Sequence, residues 1–354
     1  MELRREEIEA VWTGCVRIEK TGSGLVGRRF TEKQTEAFFE SVPLYTGDFF
    51  NGYFGRNCAA AAGITLDFYT DAKKIELTFG GNDRPNNARQ QVCDLYADRR
   101  YIRSVEAGQP VFYTPRRDGI HRVTLVFPFF NTPYLSGITL SDASAFAPVY
   151  RDGNDILFLG DSITQGVGSE RPGSTMAMTV TRLLGARSLN QANSGYLYDA
   201  KTLEKVCEPR LIVLAYGHND RHRRPEEALY EETLTYVKRV RELFPKAQVA
   251  AVLPIWCLDE QDEEKRLRLR RLDGHFRDAY HAVSGVTVLD GQSLLPHDPR
   301  FFRDGAHPNT VGHALYGGNL ARALLKSRLY VPDPERFFPA PVCKTKRETF
   351  TWSL

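Results

Sequence analysis

The sequence predicts an all-β, jelly-roll-like sandwich over residues 1–150 and an α/β region with a parallel sheet over residues 151–328. An extended arm over residues 329–354 follows. Three observations predict this. The chain has 354 residues, more than one hydrophobic core usually serves. Before residue 150, apolar and polar residues alternate in short runs. After it, short apolar runs alternate with longer amphipathic stretches.

In the first region, GITLDFYT sets Ile64, Leu66 and Phe68 on one face, and KKIELTFGG does the same with Ile75, Leu77 and Phe79. HRVTLVFP repeats the pattern with Val123, Leu125 and Phe127. Period 2 broken by TDAKK, GGNDRPNN and PRRDG reads as antiparallel strands joined by turns. In the second region DILFLG is a strand and STMAMTVTRLLG a helix. RLIVLAYG is a strand apolar throughout, as expected when both faces are covered. PEEALYEETLTYVKRVRELF opens with proline and acids, a good helix start, with Leu234, Val237, Val240 and Phe244 on one face. AQVAAVLPIW is the next strand, and DEEKRLRLRRLDGHFRDAYHAV is a helix with Leu269, Leu272, Phe276 and Val283 inward. VTVLDG and TVGHALYGGNLARALLKS supply the last strand and helix. Alternation of this kind gives right-handed βαβ units, hence a parallel sheet with helices on both faces.

Composition narrows the function. The formal net charge is +3, and the densest basic cluster, KRLRLRRL, is the solvated face of a helix. No nucleic-acid partner is expected. No apolar run nears the roughly 20 residues that span a bilayer, so no membrane partner is expected. MELRREEIEA lacks the apolar core of a secretory signal, and the six cysteines form no CxxC pair. Both features predict a cytoplasmic protein with reduced thiols.

In open parallel sheets, ligands bind beyond the carboxyl ends of the strands. The first strand ends in Gly160-Asp161-Ser162, the second in NQANSG with Asn193 and Gly195, and the third in Gly217-His218-Asn219-Asp220. The loop after the last strand holds His297, Asp298, Asp304 and His307. A hydroxyl is a weak nucleophile until a base takes its proton, and histidine is the usual base. Acyl transfer also needs donors aimed at the developing oxyanion. Ser162 as nucleophile, His307 as base and Asp304 as its orienter meet the first need. The backbone N–H groups of Ser162 and Gly195 and the Asn219 amide meet the second. Taken singly, each piece has a plainer reading: Asp161-Ser162 as a helix cap, Gly195 as a turn glycine, Asp304-Gly305 as a turn.

Together the four blocks resemble the SGNH, or GDSL, hydrolases: GDS at Ser162, glycine at Gly195, GxND at Asn219, and DxxH at Asp304 and His307. The resemblance covers residues from about 154 to 326. It implies a flavodoxin-like three-layer fold and ester hydrolysis by a Ser162-His307-Asp304 triad, with Ser162, Gly195 and Asn219 as oxyanion hole and no cofactor or metal. A sandwich preceding such a domain resembles carbohydrate acetylesterases, which remove O-acetyl groups from polysaccharides or oligosaccharides.

The leading expectation is therefore a carbohydrate O-acetylesterase acting on an oligosaccharide acyl ester, with homo-oligomerisation open. An acyltransferase or an esterase for other acyl groups is the first alternative. A carbohydrate-binding protein with a vestigial hydrolase domain is the second. Trp256, ending the fourth strand, and His218, inside the GxND block, are candidate substrate contacts. Arg221, His222, Arg223 and Arg224 are expected to form a solvated basic loop. His297-Asp298 lacks the DxxH turn and a third ligand, so no metal is expected there. FFNGYFGRN and PFFNTPYLSG carry aromatics and asparagines that fit either sugar contacts or sandwich core.

Overall fold

The computed structural model describes residues 2–41, 51–143, 145–149 and 155–332. The expected division at 150/151 and nearly all of the expected arm lie outside the described residues, as does Cys343.

The first part of the chain forms two antiparallel sheets. One runs in the order β1 (Trp12–Thr13), β4 (Thr65–Thr70), β9 (His121–Val126), β6 (Val92–Ala97), β7 (Arg100–Glu106), with β11 (Phe146–Pro148) also on β4. The other runs β2 (Arg17–Thr21), β3 (Gly24–Arg28), β10 (Thr132–Ser141), β5 (Lys74–Asp83), β8 (Val111–Tyr113). Successive strand residues point to opposite faces, so one set from each sheet shares a core. Leu66, Phe68, Leu95, Val123 and Leu125 of the first sheet meet Leu25, Ile75, Leu77, Leu135 and Ile138 of the second. This is the sandwich that the period-2 pattern predicts.

Three helices of this part have no counterpart in that pattern: α1 (Arg5–Glu9), α2 (Glu32–Glu40) and α3 (Tyr53–Asn57). The signal for α2 is a capping box, in which the Thr31 hydroxyl accepts from the Gln34 N–H and the Gln34 side chain from that of Thr31. Helices α2 and α3 pack away from the sandwich core. Phe30, Phe38, Phe54 and Cys58 share a core with Leu157, Leu159, Ile212 and Leu214 of the parallel sheet.

That sheet runs β13 (Ser188–Asn190), β12 (Ile156–Gly160), β14 (Leu211–Ala215), β15 (Gln248–Val252), β16 (Val286–Leu289), all parallel. In chain order this is 2-1-3-4-5, the flavodoxin-like arrangement. Alternate residues of β12 face opposite layers. Leu157 and Leu159 meet α7 (Glu226–Leu243) and α8 (Glu263–His281), through Tyr236, Val237, Leu269 and Phe276. Ile156 and Phe158 meet α5 (Met176–Leu183) and α9 (Thr310–Lys326), through Met176, Val180, Tyr316 and Leu320. Two short helices, α4 (Ser162–Gln165) and α6 (Asp220–Arg223), follow β12 and β14 directly. The basic cluster lies on the outer face of α8, where Lys265, Arg266, Arg268 and Arg271 are exposed.

Among the described residues no helix is long and apolar enough to cross a membrane. The five described cysteines are free thiols, with Cys58, Cys93 and Cys257 buried.

Candidate active site

β12 ends at Gly160, and the chain turns at Asp161 into the single turn of α4. Asp161 caps that turn, its carboxylate accepting the Ile163 N–H at 3.1 Å. Burial pushes its pKa up to about 7, only partly offset by that bond. Ser162 is thus the first helical residue at a strand tip, 4 % exposed.

The loop after β16 brings its side chains to the same place. His307 Nε2 lies 2.8 Å from Ser162 Oγ. His307 Nδ1 lies 2.9 Å from Asp304 Oδ2 and 3.1 Å from Oδ1. Asp304 Oδ1 also accepts the backbone N–H groups of Ala306 and His307, each at 2.8 Å. Partial burial raises the Asp304 pKa, but these N–H groups and the imidazole outweigh it, and the net value is below the ordinary one. Asp304 is therefore a carboxylate, and Nδ1 carries the proton that points at it. That leaves Nε2 as acceptor for the serine hydroxyl. Close approach of the loop requires Gly168, where φ is +102° and a Cβ would stand 2.1 Å from the Pro308 carbonyl oxygen.

Gly195 sits in a turn with φ +80°. The Asn193 N–H donates to the Gly160 carbonyl at 3.0 Å, tying that turn to the end of β12. Asn219, at the start of α6, donates from Nδ2 to the Tyr196 carbonyl at 3.2 Å. The Asn219 amide is thus tied to the turn that carries Gly195, and that turn to the end of β12.

The two substrate-contact expectations fare differently. Trp256 is only 4 % exposed, stacked on His297 at 5.7 Å and edge-on to Phe302 at 5.3 Å. Buried in this way, with His297 stacked on the ring, it offers no platform to a sugar; the expectation is corrected. His218 is half-buried, and Arg221 Nη2 lies 3.4 Å from its Nδ1. Burial, then the charge of Arg221, holds its pKa well below the histidine value, so it is neutral. Arg221 donates to Nδ1, which puts the His218 proton on Nε2.

The expected solvated basic loop holds for His222 and Arg223, which are exposed, and is corrected for Arg221 and Arg224. Arg221 is 1 % exposed, with Asp273 at 3.3 Å and Glu260 at 3.7 Å. Arg224 pairs with Asp220 at 3.1 Å. His297 donates to the Gln292 carbonyl at 3.0 Å and Asp298 pairs with Arg300, so both serve the loop itself. One group of metal-ligating types exists among the described residues: His218, His222 and Cys257, with ligand atoms within 4.8 Å of one another. The Arg221 guanidinium lies 3.4 Å from both His218 Nδ1 and Cys257 Sγ, and burial pushes the thiol pKa up. A fixed cation touching two of three donors, with the thiol protonated, does not suit a dication.

An open cleft of about 480 Å³ adjoins Asp304. Tyr53, Asn57, Gln90, Phe129 and Phe130 line one wall, and Val167, Glu170 and Arg303 the other. The first wall comes from the antiparallel half, and includes residues of both aromatic-rich stretches. A smaller cavity of about 80 Å³, lined by Arg182, Arg187 and Ser188, lies at the opposite end of the strands, where β13 begins.

Residues 158–315 match the model of the GDSL-like Lipase/Acylhydrolase family. This part of the chain is similar to GDSL-like hydrolase domains. The whole arrangement, sandwich included, recurs in solved structures. A salicylyl-acyltransferase, SsfX3, from a tetracycline biosynthetic pathway is 17 % identical with TM-score 0.67, covering 90 % of this chain and 94 % of its own. The acetyl xylan esterase Est2A of the rumen bacterium Butyrivibrio proteoclasticus is 15 % identical with TM-score 0.56, covering 90 % and 100 %. A family two carbohydrate esterase of Clostridium thermocellum in complex with cellohexaose is 14 % identical with TM-score 0.58, covering 76 % and 94 %. No curated protein sequence matches the chain. At these identities the solved structures establish the fold, and Ser162 and His307 both lie inside the segment that matches the family model.

Proposed function

We propose that the chain is a serine esterase that removes O-acetyl groups from a carbohydrate. The observation that carries this reading is the hydrogen-bonded row Ser162 Oγ, His307 Nε2, His307 Nδ1, Asp304. As Ser162 Oγ attacks the acyl carbon, its proton passes to His307 Nε2. Negative charge moves to the carbonyl oxygen, which the N–H groups of Ser162, Gly195 and Asn219 receive. Collapse breaks the ester C–O bond, and His307 gives its proton to the departing sugar oxygen, which leaves as a hydroxyl. Water then loses a proton to His307 and attacks the acyl-serine. Acetate leaves and the proton returns to Ser162 Oγ. Asp304 keeps Nδ1 protonated throughout and stabilises the transient imidazolium.

The carbohydrate part rests on the cleft and on the likeness to the acetyl xylan esterase and the cellohexaose-bound esterase. Amide side chains and aromatic rings beside Asp304 suit a hydroxyl-rich ligand. We further take residues 1–150 and 151–328 as the two domains, with the first walling the cleft of the second. The test is acetate release from a panel of acetylated oligosaccharides. Wild-type protein should release acetate and Ser162→Ala should not; equal release by both would overturn the mechanism.

One observation favours a second reading, transfer of the acyl group to an alcohol: the likeness to salicylyl-acyltransferase over 90 % of this chain. The chemistry up to acyl-Ser162 is the same. Product analysis with alcohol acceptors present separates the two, since transfer yields a new ester and hydrolysis yields acid.

A further inference from the structure

We propose that Asn57, from the antiparallel half, is a positioning residue that fixes the Gly195 turn against the Ser162 helix through a buried amide network. This rests on the esterase reading above. Asn57, Gln165 and Asn193 are each at most 1 % exposed. Asn57 Nδ2 donates to Asn193 Oδ1 at 2.7 Å and to Gln165 Oε1 at 2.9 Å. Its Oδ1 accepts from Gln165 Nε2 at 3.3 Å. Both Nδ2 hydrogens are therefore used inside the network.

Backbone groups fix the orientation of each amide. The Ser194 N–H donates to Gln165 Oε1 at 2.7 Å, so that atom must be oxygen. The Phe129 carbonyl accepts from Gln165 Nε2 at 2.8 Å, so that atom must be nitrogen. The Phe54 carbonyl accepts from Asn193 Nδ2 at 3.0 Å, which turns Asn193 Oδ1 toward Asn57. Asn57 Nδ2 thus faces two oxygens, and only a donor can bond to both. Arg29 grips the same approach. Its buried guanidinium donates to the Asn190 and Ala192 carbonyls at 2.7 and 2.9 Å, just before the turn.

The consequence is positional. Gln165 lies in the same helical turn as Ser162, and Ser194 precedes Gly195 in the chain. An oxyanion held between the Ser162 and Gly195 N–H groups needs both within about 0.5 Å of their working places. The network sets that spacing, and its central donor comes from the other half of the chain. It thereby couples α3, a helix of the first part of the chain, to catalysis as well as to the cleft wall.

The experiment compares wild type with Asn57→Asp, which keeps the shape but removes both donors, and with the milder Asn57→Ser. Hydrolysis of an aryl acetate and affinity for an arylboronic acid, which forms a tetrahedral adduct on the serine, are measured on folded protein. The expected result is a kcat lower by at least about tenfold, with KM within about threefold and boronate affinity falling in step with kcat. A purely structural role would lower the melting temperature and leave kcat and boronate affinity of the folded protein unchanged, and that result overturns the proposal. Hydrogen exchange on wild type gives a reading independent of variant folding: the Ser194 amide should be protected as strongly as those of β12, and rapid exchange overturns the proposal. Wild type inert to both aryl acetates and boronate contradicts the esterase reading itself. Active wild type with unaltered variants contradicts the positioning role alone.

Discussion

Asp304 holds His307 twice: its carboxylate accepts the ring Nδ1–H at 2.9 Å and the backbone N–H of the same residue at 2.8 Å. The acid therefore sets both the tautomer of the base and the path of the loop that carries it. Asn at position 304 keeps an oxygen for the backbone bonds but loses the charge facing Nδ1; Ala loses both. Asp304→Asn should lower kcat by about 10²- to 10⁴-fold, and Asp304→Ala should cost at least as much. Initial rates on an aryl acetate check this. An alanine variant more active than the asparagine variant would show that the backbone bonds contribute nothing.

Gly168 is the point where the two halves of the triad come close. A Cβ there would stand 3.0 Å from His307 Cβ and 2.1 Å from the Pro308 carbonyl oxygen, at a φ that disfavours side chains. Gly168→Ala should displace His307 and lower kcat on the order of 10²-fold, since small misplacements cost that much. The sheet core is untouched, so far-UV circular dichroism should be unchanged. Wild-type kcat in this variant would contradict the geometry.

Acid should act on the scaffold through His313. This ring is fully buried between the Val167 carbonyl, which accepts from Nε2 at 2.9 Å, and the Met176 N–H, which donates to Nδ1 at 3.2 Å. Burial lowers its pKa to about 4, with a smaller contribution from His307. The unfolded chain binds this proton first, so the contribution of neutral His313 is complete above the ordinary histidine value of about 6.5. It is lost progressively as pH falls toward about 4. Urea unfolding of wild type and His313→Gln across that window tests this: the stability difference should narrow as pH falls. A difference that stays constant contradicts it.

Arg221 is the cation of a buried cluster, with Asp273 and Glu260 on it and His218 beside it. Removing one partner of a buried pair leaves uncompensated charge. Arg221→Met should destabilise by about 3–5 kcal/mol, and adding Asp273→Leu should recover part of the loss. Thermal or denaturant unfolding reads both. A single variant as stable as wild type would show that the cluster is held neutral by other means.

Much of this was legible before any coordinates. Period 2 around Leu66, Leu77 and Leu125 and the alternation after residue 155 arise from burial on one face or two, and burial decides both sheets. The contact of Ser162, His307 and Asp304 is legible because these residues sit at a strand end and in the last loop, where parallel sheets bind ligands. What sequence missed is local or long-range. Helix α2 is too short for its periodicity to stand out, and only the Thr31–Gln34 capping box marks it. Trp256 looked like a pocket residue because its strand ends nearby, but which neighbour covers an indole depends on a distant loop bearing His297 and Phe302. Arg221 reads as solvated among three other basic residues, and its acids, Glu260 and Asp273, come from about 40 and 50 positions later. The Asn57–Gln165–Asn193 network spans 136 positions between its ends, and no local pattern records it.

The central claim is that Ser162 becomes covalently acylated because His307 takes its proton. The most direct measurement is mass spectrometry of protein acid-quenched during turnover of an aryl acetate, comparing wild type with His307→Ala and Ser162→Ala. The account predicts an acetyl group on the peptide containing Ser162 in wild type and its absence from both variants. Acetylation at another residue, or equal acetylation of Ser162 in His307→Ala, would contradict it.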